Sequence, residues 1–207
     1  MKKEKITRAT LDELEKTMPV LSENEQRNCT GGYRYYDESG MFIEKIGDEN
    51  EIRIINRTNY NNIKPESGNF GIRDMEILES FSTSLSSVCS LNVKEAVIRS
   101  IAKELSVNDL NFINNPSSSG GTFNPDTGII TFNLSNGSVQ RNNYFEIFLI
   151  ILHEKQHKDT PDDSGSIESE IDAYKAMINH SYFSNTSTVF QNTINNYLKE
   201  LESKKNS

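Results

Sequence analysis

The chain has three histidines, His153, His157 and His180, all in its last third. Two of them bracket a glutamate in His153-Glu154-Lys155-Gln156-His157, the H-E-x-x-H pattern. Residues four apart on a helix lie one above the other. Both imidazoles therefore leave one face at a spacing that suits two ligands of a single ion. Glu154 sits beside that face, where its carboxylate reaches a water on the metal without becoming a ligand itself. Zinc needs a third protein ligand and one position left for water. Downstream, Ser166-Ile167-Glu168-Ser169-Glu170-Ile171-Asp172-Ala173-Tyr174 opens an amphipathic helix and offers Glu168, Glu170 and Asp172. Spacing alone leaves these three in competition. His180, ten residues beyond Glu170, falls on another face of that helix and is read as non-ligating.

The elements that must hold these groups follow from the flanking residues. Phe145 and the run Ile147 to Leu152 precede His153 almost without a polar break. A helix apolar on all sides is a buried one, so the histidines emerge at the end of a rigid core helix. Asn143 followed by Glu146 is a capping box that would start it. Gly121-Thr122-Phe123-Asn124, a turn at Pro125 to Gly128, and Ile129 to Asn133 predict a β-hairpin just upstream. Thr186 to Leu201 predicts a last helix, with Val189, Phe190, Ile194, Tyr197, Leu198 and Leu201 as its buried stripe. Earlier in the chain, turn clusters at 37–40 and 47–50 flank Met41 to Ile46, and Glu51 to Ile55 follows. Together with the residues from Tyr33 this predicts a three-stranded antiparallel meander. Arg57 to Gly71, rich in Asn, reads as loop or linker, and Asp74 to Leu85 and Asn92 to Leu105 read as helices. Cys89 is expected to be a small buried hydrophobe.

The region from Thr122 to Ile178 resembles the zincin metallopeptidases, specifically the gluzincin branch. There a glutamate in an E-x-x-A setting on a second helix completes the site, and Glu170-Ile171-Asp172-Ala173 matches it. The resemblance thus implies His153, His157 and Glu170 as Zn2+ ligands and Glu154 as general base. The metzincin branch is excluded, because Thr160 and Asp163 stand where its glycine and third histidine belong. Many gluzincins place an aspartate four residues after the ligand glutamate; this chain has Tyr174 there, which could brace a ligand or donate to the oxyanion. Asp172 is a further candidate to support a ligand. The family also sets an edge strand beside the metal to pair with extended substrate, and Ile129 to Asn133 is the strand expected in that role.

Residues 1–32 read differently. Six basic and six acidic residues balance, and Leu11, Leu14, Met18 and Leu21 recur at helical spacing before Gly31-Gly32. No apolar core of a Sec-type signal is present. The stretch resembles the double-glycine leaders of bacterial peptides that leave through peptidase-containing ABC exporters. Cys29, Leu21 and Met18 fall on that family's apolar positions, with Gln26 a departure. The expected organisation is a leader over 1–32 cleaved after Gly32, a β-meander and linker over 33–71, and a zincin-like domain over 72–207. The fold class is α+β.

The function these resemblances imply is that of an exported zinc peptidase acting on peptide or protein. The 207 residues carry a formal net charge of −8, which argues against a nucleic-acid surface. The longest apolar run is too short to insert in a membrane. The leader predicts secretion, and an uncut leader would leave the protein cytoplasmic. The competing reading is a secreted bacteriocin-like or binding protein whose zinc site is structural or vestigial. Glu154 separates the two, because a purely structural site has no use for a carboxylate beside its ligands.

Overall fold

A computed structural model describes residues 33–47, 51–118, 120–161 and 165–206. The expected leader, 1–32, lies outside them. The fold is α+β, with two small sheets and seven helices among the described residues.

The first sheet holds β1 (Tyr33–Tyr36), β2 (Phe42–Ile46), β3 (Glu51–Ile55) and β4 (Ser82–Ser84) in the order β2-β1-β3-β4. β1 pairs antiparallel with β2 but parallel with β3, which corrects the expected meander. The chain leaves β2 and returns on the far side of β1, so β1 is internal. Gly40 makes the first turn with φ +78°, and a Cβ there would stand 2.3 Å from the Ala96 carbonyl carbon. Only glycine fits that approach.

Alternation along these strands gives the sheet two buried faces. Tyr35 and Ile55 face α1 (Arg57–Ile63) and α2 (Ile72–Ser80), meeting Tyr60, Phe70, Met75 and Leu78. Part of the expected linker is therefore helical. Asn56 accepts from the Thr58 and Asn59 N–H groups, and this cap starts α1 in a segment with little apolar signal. The helix expected over 74–85 stops at Ser80. Ser82-Thr83-Ser84 instead adds an edge strand to β3, since serine and threonine compete poorly as helix formers. Tyr36, Ile52 and Ile54 face the main core with α3 (Leu91–Glu104). Cys89, just before α3, is exposed, which corrects the expected burial: the extended stretch between the turn at Leu85–Ser87 and α3 leaves it at the surface.

The second sheet has the order β5-β7-β6: β5 (Leu110–Ile113), β6 (Gly121–Asn124) and β7 (Ile129–Asn133). β6 and β7 form the hairpin, and β5 lies parallel to β7 on its other side. A short α4 (Gly137–Gln140) leads to α5 (Tyr144–Asp159), which runs through the main core with Ile147, Leu149 and Ile151 fully buried.

The start of α5 is tied down from several directions. Asn143 accepts from the Glu146 N–H, while the Glu146 carboxylate turns instead to Arg141 and to Ser187 at the head of the last helix. Asn142 donates to the Ile52 carbonyl and accepts from the Leu85 N–H, joining the first sheet to this helix. The Arg34 guanidinium lies 3.4 Å from the Tyr144 ring centre. α6 (Ile167–Asn179) packs across α5, and α7 (Thr188–Lys205) packs on α6. In α7 the buried stripe narrows to Phe190 and Ile194, with Val189 and Tyr197 exposed. No described helix is long and apolar enough to cross a membrane.

Candidate metal centre

Anchored at its start, α5 brings His153 and His157 to its last two turns, both buried. Their Nε2 atoms stand 3.2 Å apart. Ser166 caps α6 by accepting from the Ser169 N–H, which places Glu170 in that helix's first turn. Glu170 Oε2 lies 3.4 Å from His153 Nε2, and Oε1 lies 3.4 Å from His157 Nε2. Donors about 2.1 Å from a tetrahedral ion sit about 3.4 Å from one another. The observed triangle of two imidazole nitrogens and one carboxylate therefore fits one small divalent cation. Glu168 and Asp172 do not join it. Each is two residues, or roughly 200°, around α6 from Glu170; both are exposed, and Glu168 pairs with Lys205.

The charges respond to this crowding. The His153 and His157 imidazoles hold the Glu170 carboxyl down to about 2. In return the Glu170 carboxylate raises His157 against the effect of its burial. Glu154 is buried beside the cluster. Desolvation pushes its carboxyl up, opposed by the two histidines and by the Phe123 N–H that donates to it.

One supporting residue was invisible in the sequence. Ser169, buried and adjacent to Glu170, places Oγ 2.9 Å from His157 Nδ1. With Ser169 accepting, the Nδ1–H tautomer is favoured and the Nε2 lone pair faces Glu170. Only the crossing of α5 and α6 makes the contact, so no local motif could have flagged it. His153 Nδ1, in contrast, is buried with no partner among the described residues. Tyr174 lies against His153, ring centres 4.5 Å apart. Burial, and then the Glu170 carboxylate, push its phenol up to about 12, so it stays a proton donor at neutral pH. His180 ends α6 against Phe148 and Tyr182 and takes no part in the cluster.

The cluster opens on a cleft of about 720 Å3 bounded by β6 and by Tyr174, Met177 and Tyr197. The strand beside it is not the one expected. Ile129 to Asn133 is the middle strand, its edges used by β5 and β6, and the strand whose outer edge borders the cleft is Gly121–Asn124. The sequence located the hairpin but could not reveal β5, whose parallel pairing with β7 covers the other side.

No family model, curated protein or solved structure matches this chain.

Proposed function

We propose that this protein is an exported, zinc-dependent peptidase of the gluzincin type, with a small zincin-like catalytic unit. The observation that carries the reading is the meeting of His153, His157 and Glu170 from two helices, with a buried carboxylate, Glu154, at the same cleft. These three side chains would hold the ion. Zinc, when bound, supplies Lewis acidity toward a carbonyl and makes a water acidic near neutral pH.

The remaining work belongs to the protein. Glu154 accepts the proton of the attacking water and passes it to the amide nitrogen as the carbon–nitrogen bond breaks. Its raised pKa suits that exchange, because a carboxylate nearer neutrality takes and returns a proton more evenly. Tyr174, protonated and facing the cleft, donates to the carbonyl oxygen as negative charge grows there. The outer edge of β6 borders the cleft, and an extended peptide would run alongside it.

The double-glycine leader would direct export through a peptidase-containing ABC exporter. Mass spectrometry of culture supernatant tests this: a mature N-terminus at Tyr33 is expected, and only uncut chain in the cytoplasm would refute it. For the chemistry, Glu154→Gln should keep zinc stoichiometry and lose peptide hydrolysis by at least about 100-fold. Unchanged turnover would reject the mechanism.

A further inference from the structure

The hairpin does more than border the cleft. A Cβ built on Gly121 would stand 2.9 Å from Glu154 Cγ and 3.1 Å from its Oε1. Ordinary carbon contacts lie at about 3.5–4.0 Å. The strand therefore rests on the stem of the glutamate so closely that a methyl group would force the carboxylate back by roughly 0.6–1 Å.

A second, separate contact reaches the same side chain. The Asn133 N–H donates to the Gly120 carbonyl, so by alternation Gly120, Thr122 and Asn124 bond to β7, while the main-chain groups of Gly121 and Phe123 point away. The Phe123 N–H, on that outer edge, donates to Glu154. Glu154 thus has one wall set by the missing side chain of Gly121 and one donor set by the next outward-pointing amide. Helix α5 fixes its Cα and the strand fixes its carboxylate.

We infer that Gly121 is a positioning residue for Glu154, and that the outer edge of β6 acts as a clamp on the catalytic base. The inference rests on the peptidase reading above.

The test is a graded series, Gly121→Ala and Gly121→Val, in the full chain, with zinc content, thermal midpoint and steady-state kinetics on one cleaved peptide. A displacement near 1 Å at a reacting group costs about 100-fold. Clamping predicts kcat lower by about 10-fold for Ala and about 100-fold for Val, with zinc content, thermal midpoint and KM near wild type. A rise in KM with kcat unchanged would overturn the inference and leave Gly121 as a substrate contact only. Unchanged kinetics in both variants would also overturn it. Absence of hydrolysis by the zinc-loaded wild type would refute the peptidase reading, and the positioning role with it.

Discussion

Replacing Ser169 with alanine removes one oxygen from a buried place and should be felt at the metal. The Oγ lies 2.9 Å from His157 Nδ1, and both residues are almost wholly shielded from solvent. Without metal, the His157 imidazole can exchange tautomers and put its proton on Nε2, which has His153 Nε2 at 3.2 Å and Glu170 Oε1 at 3.4 Å as partners. With Nε2 committed to an ion, the proton must stay on Nδ1, where alanine leaves it facing no acceptor. A buried donor without a partner costs about 1–3 kcal/mol. Because the penalty falls on the loaded state, affinity should drop about 10- to 100-fold, the range seen when such supports are removed. Competition against a chromophoric zinc chelator reads that change directly. Ser169→Thr, which keeps a hydroxyl, should stay within about 3-fold of wild type. Equal zinc affinity in Ser169→Ala and wild type would refute the reasoning.

Two further outcomes are expected. Tyr174→Phe keeps the ring on His153 and removes only the hydroxyl, so kcat should fall by about 100-fold with KM and zinc content held; kinetics matching wild type would reduce Tyr174 to packing. Asp37 carries the opposite kind of test, remote from the site. Despite a desolvation cost, hydrogen bonds from Ser39, Arg57 and the Met41 N–H depress its carboxyl below the ordinary value. A depressed folded pKa gives stability that is present above the unfolded pKa and is lost as pH falls through the folded one. Asp37→Asn should therefore cost about 2 kcal/mol at pH 7, roughly 5 °C in thermal midpoint, with the difference closing below about pH 4. A gap that persists undiminished in acid would contradict this.

The site was more legible in the sequence than the scaffold around it. Two histidines four apart at the end of an apolar run fix a shared helical face through local geometry alone, and Glu170 was singled out by its E-x-x-A setting. The first sheet was misread for the opposite reason. β1, β2 and β3 have the same strands and turns whether β3 pairs with β2 or crosses to the far side of β1, so only long-range packing decides. α1 was concealed because, Tyr60 and Ile63 apart, its residues are polar and within the helix only Tyr60 is buried, leaving no periodic stripe to see. Ser169 and Gly121 matter through contacts spanning 12 and 33 positions in sequence, across helix–helix and strand–helix packing that no window along the chain contains.

Everything proposed for the chemistry returns to one ion held between α5 and α6. Elemental analysis of the zinc-loaded, dialysed protein beside Glu170→Ala tests that most directly. The account predicts about one zinc per wild-type chain and loss of most of it in the variant, since two histidines alone are a weak site. A wild type that retains no zinc, or a variant that retains it all, would contradict it.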